Sequence, residues 1–401
     1  MDKVVASFER YARLCREVQE RAIALENHPE RRKRLRRFPA REVAEILGIS
    51  ASHLRNLIRE AGFPQGELHG GGRRSFSFEE LGAARAWLHR TTGSARYAPR
   101  ARGDERLQAI AFVNFKGGSG KTTSASHFAQ WLVLQGYRVL LVDLDPQASA
   151  TALLGLAPAV EVAESDTFAA WIRREEGDEE QALARRLVRR TYWPALDLLP
   201  ANIGLQHAEY DLVGKLLRQR DWPFYAQLES LLAHLASGYD VAVIDCRPDV
   251  GMLTINALVA ATGLVVPIPP SMIDFASSGE FFRFMAEIAR DLRGHLSTRI
   301  MAYDFVRVLT TKHRSTDRNQ AEMMSWTKAL LGDVVLESGM VETSLMDAAG
   351  ILKETLYEYE PTGNRRSYER ALEAMNAVNR SLEQELLRAW GRVPAARRQV
   401  A

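Results

Sequence analysis

The stretch NFKGGSGKTT, Asn114 to Thr123, places two lysines around three glycines. An apolar run, AIAFVNF (109–115), leads into it, and Ala125, Phe128, Ala129 and Leu132 follow at helical spacing. Strand, glycine-rich loop and helix is the order that a phosphate-gripping loop needs. Glycines let backbone N–H groups converge on phosphate oxygens, and the helix presents its partly positive end to them. The expected nucleotide-binding set is therefore Gly117, Gly118, Ser119, Gly120, Lys121, Thr122 and Thr123. Lys121 would reach the terminal phosphates, and the Thr122 hydroxyl would coordinate Mg2+. The common pattern G-x-x-x-x-G-K-[ST] fails, because Phe115 stands where its first glycine belongs. The match is to K-G-G-x-G-K-T, with Lys116 as an additional lysine. An extra cation beside such a loop is useful where charge gathers on transferring phosphate oxygens.

Working outward, near-continuous apolar runs recur at 139–145, 196–201, 241–246, 264–269 and 307–311, with helical stretches between most of them. Runs of that kind imply a parallel sheet covered on both faces, so the fold class is α/β with a mostly parallel sheet and flanking helices. VLLVDLD ends with Asp143 and Asp145, and VAVIDC ends with Asp245, which puts three acids at the carboxyl edge of the sheet beside the loop. Asp245 suits a carboxylate holding magnesium through water. Asp145, with Pro146 fixing the next turn, is the candidate for orienting the attacking water, and Asp143 would support the loop or the metal. Near the carboxyl end, Tyr368, Ala371, Met375, Val378 and Leu382 keep helical spacing over roughly 366–390.

The amino-terminal quarter reads differently. Val4, Phe8, Tyr11, Cys15, Val18, Ala22 and Leu25 recur at alternating four- and three-residue steps, the seam of a helix that wants a partner. That seam is either a homodimer contact or packs on its own chain, and Cys15 on it reads as a small buried apolar residue. RRKRLRR (31–37) is a solvated linker or a phosphate contact. In FPAREVAEILGISASHLRNLIREAG, a short helix from about Ala40 would bury Val43, Ala44 and Leu47. Gly48 supplies a turn, and Ser50 caps a second helix with Leu54, Leu57 and Ile58 inward. That is helix-turn-helix spacing, with Ser52, His53, Arg55, Asn56 and Arg59 left outward, types that read base edges or grip phosphates. HGGGRRSFSF then offers a wing bearing Arg73 and Arg74, before Ser77 and Glu80 in capping-box spacing. The divisions expected are a dimerisation helix over 1–28, a winged helix-turn-helix over 29–92, a linker over 93–106 and the nucleotide-binding domain over 107–401.

Charge supports that division. Residues 1–104 hold 21 Lys plus Arg against 13 Asp plus Glu, and the remainder holds 32 against 37, so the net charge of +3 hides a basic amino-terminal quarter. A polyanion could dock there. Two cysteines exclude a disulfide framework and a four-cysteine zinc site. With no run of about 18 uncharged apolar residues, the expectation is a soluble, intracellular protein.

KGGSGKTT with DLDPQASAT and VIDC resembles the ParA partition ATPases. HFAQWLVLQGYRVLLVDLDPQASATALLG, INALVAATGLVVPIPPSMIDF, RVLTTKHRSTDRNQAEMM and DAAGILKETLYEYE are similar to the RepA partition proteins of repABC-type bacterial plasmids. The amino-terminal helix and winged helix match the longer ParA subclass. The resemblance implies a deviant Walker A P-loop ATPase that uses ATP and Mg2+ and works as a homodimer. Lys116 would cross to the neighbour's phosphates like an arginine finger, so that Lys116, Lys121 and Asp145 form the catalytic set. It implies an ATP-bound dimer that coats DNA without sequence preference and a ParB/RepB-type centromere-binding partner that stimulates slow hydrolysis. The winged helix would repress the protein's own operon, and the location would be the bacterial cytoplasm, on the nucleoid and away from membranes. Basic residues such as Arg299, Lys312, His313 and Arg314 are candidates for the non-specific DNA contact. One departure stands out: relatives usually carry two prolines after the Walker B Asp-Cys, and DCRPDVG puts Arg247 in the first position. Competing readings are a repressor with a non-hydrolysing nucleotide fold and a membrane-cycling MinD-like ATPase. The latter needs an amphipathic terminal anchor, and Pro394 interrupts the candidate segment SLEQELLRAWGRVPAARRQVA.

Overall fold

The computed structural model describes residues 2–26, 33–175, 177, 179–295, 301–314, 316–343, 353–360 and 365–394. Its centre is a seven-stranded sheet. The parallel strands are β4 (Gln108–Phe112), β5 (Val139–Asp143), β7 (Leu196–Leu199), β8 (Val241–Asp245), β9 (Gly263–Ile268) and β10 (Phe305–Thr310), and β6 (Arg189–Arg190) adds a short antiparallel edge. Their spatial order is β10-β9-β4-β8-β5-β7-β6. All six runs expected to be strands pair here. β6 was not legible, since two consecutive arginines carry no strand pattern and pair only because β7 lies alongside.

Alternation along each strand explains why both faces are covered. Ile110 and Phe112 of β4, Leu141 of β5 and Val243 of β8 join one core cluster, while Ala111, Leu140, Val142 and Ile244 join the other. The first cluster packs under the helix Lys121–Gln135 and the carboxyl-terminal helix Arg365–Ala389, whose Tyr368, Ala371, Met375, Val378 and Leu382 are buried. Helices Phe168–Arg173, Gln227–Leu235 and Met252–Ala260 cover the second.

Ahead of the sheet domain, helix Asp2–Glu26 is followed by a three-stranded antiparallel sheet made of β1 (Phe38–Pro39), β2 (Glu67–Leu68) and β3 (Arg74–Phe76), in order β1-β3-β2. Between β1 and β2 lie helices Ala40–Ile46 and Ala51–Leu57, and helix Phe78–Thr92 follows β3. Ser50 Oγ accepts from the His53 N–H at 3.1 Å, and Ser77 with Glu80 forms a complete capping box, so both starts follow from side-chain oxygens that answer orphan amides. Val43, Ala44, Leu47, Leu54 and Leu57 are buried and continuous with the first core cluster. Residues 93–106 are held down rather than trailing: Tyr97 is buried, and Arg392 donates to the Pro99 and Arg100 carbonyls. Within the single chain Val4, Phe8, Tyr11 and Val18 are exposed, and so is Cys15, contrary to the buried role its seam position suggested. The side chains of Ala22 and Leu25, residues 27–32, and Arg299 lie outside the described residues.

Candidate functional site

β4, β8 and β5 lie side by side, which brings the loop after β4, Asp245 at the end of β8 and Asp143 at the end of β5 to one stretch of the carboxyl edge. Asp143 and Asp245 are register partners. In open α/β sheets that edge is where ligands bind.

The loop itself is built by backbone geometry. Gly118 at φ 73° and Gly120 at φ 91° occupy the left-handed region, where a side chain would be strained. Gly120 then starts the helix Lys121–Gln135. Asn114 anchors the entry: its amide donates to the Pro267 carbonyl at 2.7 Å, and its Oδ1 accepts the Lys116 N–H at 3.1 Å, tying the loop to the end of β9. On the other side the Thr311 hydroxyl donates to the Ser119 carbonyl at 2.7 Å. Lys121 is 6% exposed, and its ammonium donates to the Lys116 carbonyl at 3.0 Å. Burial lowers its pKa, and Asp245, with Cys246 and Asp145 after it, pulls in the opposite direction.

The three acids do different work. Asp143 is fully buried and hydrogen-bonded to the chain: one oxygen accepts the Thr151 N–H at 2.9 Å and hydroxyl at 2.7 Å, and the other accepts the Asp145 N–H at 3.1 Å. Of the two roles expected for it, these contacts serve loop support, and Oδ1, which accepts a single hydrogen bond, keeps a lone pair for the other. Burial pushes its carboxyl up to about 6. Asp245 is equally buried, yet among the described residues neither oxygen accepts a well-formed hydrogen bond. Burial, and next the Asp143 carboxylate, hold it protonated well above the usual carboxylate range, with the nearby Thr122 hydroxyl easing this a little. A buried carboxylate without a donor, next to a hydroxyl, is a pair of hard oxygen ligands suited to a small divalent cation. Asp145 is half-buried in a tight turn: its Oδ1 accepts the Gln147 N–H at 2.9 Å, and Ala148 closes the turn at φ 54°, a conformation alanine rarely adopts.

The Lys116 ammonium lies 3.9 Å from Asp274 Oδ1, with the lysine side chain 41% exposed. Next in sequence to Asp274, Met272 and Ile273 expose 56% and 72% of their surface. Sequence reasoning missed Asp274, whose only signal was its place just after an expected strand end. Lys312, a candidate for the non-specific DNA contact, has its ammonium 4.0 Å from where a side-chain carbon on Gly118 would be, at the phosphate loop. Arg314 pairs with Glu342. Arg247 resolves into a clamp, with Nη1 3.3 Å from Glu209 Oε1 and its other Nη on Asp249. Glu209 in turn accepts the Met252 and Leu253 N–H groups at 2.7 and 3.2 Å, capping the helix Met252–Ala260 from another element. Thr123 contributes its carbonyl to His127 Nδ1 at 2.7 Å.

On the amino-terminal module Ser52, His53, Arg55, Asn56, Arg59 and Arg73 are exposed. Arg74 is half-buried and donates to the Gln65 and Gly66 carbonyls, so it braces the hairpin rather than projecting from it.

A K-G-G-x-G-K-T loop and an orphaned acid at the edge of a parallel sheet define a deviant Walker A nucleotide-binding protein. The AAA domain family model matches residues 107–298. Over 368 residues, 91% of this chain and 90% of the relative, the sequence is 39% identical to a protein described as replication protein A from Rhizobium rhizogenes. A solved partition protein shares the fold over 94% of this chain and 98% of its own, with a TM-score of 0.63 at 19% identity. Cobyrinic acid a,c-diamide synthase from Mycobacterium smegmatis, solved with an ATP analogue and magnesium, matches 71% of this chain and 95% of its own at 28% identity and a TM-score of 0.53. The chain belongs to the ParA family of partition ATPases and is similar to the RepA proteins of rhizobial plasmids.

Proposed function

We propose that the protein is a plasmid-partition ATPase in which ATP occupancy governs assembly on DNA. The observation that carries this reading is the pairing of an unanswered buried carboxylate, Asp245, with a part-exposed loop lysine, Lys116, that lies 3.9 Å from Asp274, next in sequence to the exposed Met272 and Ile273. Backbone amides of residues 117–120 and the ammoniums of Lys121 and Lys312 would grip the triphosphate of ATP. Mg2+ held by Thr122 and, through water, Asp245 would neutralise charge on the β- and γ-oxygens. Asp145 would orient the attacking water, and its turn is fixed by Asp143.

Lys116 would serve a second copy. A nucleotide-sandwiched homodimer places the lysine of each protomer against the other's triphosphate, where it acts as a finger supplied in trans. Asp274 holds that lysine at the rim until a stronger anion competes. The ATP dimer would bind DNA without sequence preference, and a ParB/RepB-type partner would stimulate hydrolysis and reset it. The exposed face of helix Ala51–Leu57, with Arg73 on the adjoining hairpin, fits a winged helix-turn-helix that binds an operator and represses the protein's own operon. The exposed stripe Val4, Phe8, Tyr11 and Val18 favours a further homodimer contact over packing on the same chain. The place of action would be the cytoplasm, on the nucleoid. Among the described residues no helix is long and apolar enough to cross a membrane.

Sedimentation with plasmid DNA under ATP, ADP and no nucleotide tests this. Co-sedimentation of non-operator DNA should require ATP and vanish in Lys121→Ala. Binding indifferent to nucleotide would favour a simple repressor.

A further inference from the structure

We propose that the junction between the amino-terminal module and the sheet domain is a second ligand site, built for a small anion that carries a planar ring and has the size of a nucleoside diphosphate. A cavity of about 640 Å³ lies there, far from the phosphate loop at the opposite end of helix Lys121–Gln135. That volume falls in the range of sites that enclose small organic ligands.

The chemistry of the walls selects an anion. Arg85 and Gln135 both line the cavity and are 5% and 9% exposed. Arg85 Nη2 donates to Gln135 Oε1 at 3.1 Å and to the Leu134 carbonyl, tying the end of the phosphate-loop helix to the module. Arg85 Nε and Gln135 Nε2, however, have no hydrogen-bond partner among the described residues. Both orphans are donors, shut off from the cavity as well as from solvent, so this wall of the cavity is short of acceptors. Arg96, Arg102, Arg380 and Arg392 also line it, against the acids Glu45 and Glu383. Glu383 is already occupied by the Trp131 N–H at 2.9 Å and the Tyr137 hydroxyl at 3.2 Å, while Arg392 is paired with Glu105 outside the cavity wall. The balance left facing the cavity is positive, which suits a phosphate or pyrophosphate group more than water alone.

The flat surfaces select a ring. Trp131 and Tyr97 line the same space, with the Arg380 guanidinium 5.7 Å from the Trp131 ring centroid and that of Arg96 4.5 Å from Tyr97. Stacked aromatic and guanidinium planes are the surfaces on which heterocycles settle. An occupant would touch the end of helix Ala40–Ile46 and the end of helix Lys121–Gln135 together, and so brace the module against the domain.

Equilibrium dialysis of the full-length protein tests the site, using each of the four ribonucleoside diphosphates and, separately, inorganic pyrophosphate. The inference does not depend on the phosphate loop, so Lys121→Ala is used to silence that loop. At least one diphosphate should bind Lys121→Ala at about one equivalent and wild type at about two, counting the loop. Arg380→Glu or Arg102→Glu, at exposed side chains that leave the fold intact, should weaken the Lys121→Ala site about tenfold or more. Pyrophosphate should bind about tenfold more weakly than the best diphosphate. No diphosphate bound up to about 1 mM, affinity unmoved by both charge reversals, or pyrophosphate bound equally well would each overturn the proposal. Equal single-site binding by wild type and Lys121→Ala would instead count against the loop as a nucleotide site while sustaining this one.

Discussion

Replacing Asp245 by asparagine should make the nucleotide-free protein more stable while removing its response to magnesium and ATP. The carboxyl is fully buried, and neither oxygen accepts a well-formed hydrogen bond among the described residues. An unanswered buried polar group costs about 1–3 kcal/mol. Lys121 pulls toward ionised Asp245, but burial and the Asp143 carboxylate outweigh it among the influences on that group. Asparagine stays neutral at every pH but leaves an equally unanswered polar group, so the gain of Asp245→Asn should be near zero at about pH 5 and grow by up to about 1.4 kcal/mol, roughly 1–2 °C in Tm, for each pH unit above the ordinary carboxylate pKa. The pH dependence has a definite sign. The folded protein keeps protons on Asp245, and on Asp143 up to about 6, at pH values where the unfolded chain has released them. The stabilisation this gives is complete below the ordinary carboxylate pKa of about 4 and is lost as pH climbs through the raised values. Asp245→Asn should flatten that decline. Ligand linkage adds about 2.7 kcal/mol at a hundred times Kd, and the variant should lose most of it. Thermal melts from pH 5 to 8, with and without magnesium ATP, read all three effects. A variant that melts below wild type at pH 8 without nucleotide, or keeps the full ATP-dependent shift, would refute the reasoning.

Other outcomes follow from the same geometry. Lys116→Ala should lower single-turnover hydrolysis by about a thousandfold or more, as loss of a finger residue does, while nucleotide affinity of the isolated protomer changes little. Gel-shift titration of Arg55→Ala and Arg59→Ala should show operator affinity down by about 1–3 kcal/mol each, with ATP hydrolysis unchanged. Phe8→Glu, on the exposed seam, should convert a nucleotide-free dimer to monomer in light scattering; a wild type already monomeric there would remove the seam from the account. Glu209→Ala should cost about 1–2 kcal/mol in chemical denaturation, because two amides at the start of helix Met252–Ala260 lose their acceptor.

The phosphate loop was legible because its chemistry is contiguous. Asn114 to Thr123 contain the glycines, both lysines and the threonine, and the flanking residues declare strand and helix by pattern alone. Apolar runs announced six strands, and Ser50 and Ser77 announced helix starts, since caps act over three residues. Division of labour among the acids was not legible. Asp143, Asp145 and Asp245 look alike as strand-end carboxylates, and only the placing of Thr151 beside one of them makes it a brace and leaves another unanswered.

What the residues determined by themselves was local: which segments are strands, where helices begin, and that a triphosphate-type loop sits at a strand end. What the tertiary structure alone decided was the order β9-β4-β8-β5 and everything that order brings together. It set Asp274 opposite Lys116, Lys312 over Gly118, Glu209 against Arg247, and Arg85 at the end of the phosphate-loop helix. Those pairs join residues distant along the chain, and no periodicity encodes them, because strand order is settled by how helices pack on the two faces rather than by any one segment's pattern.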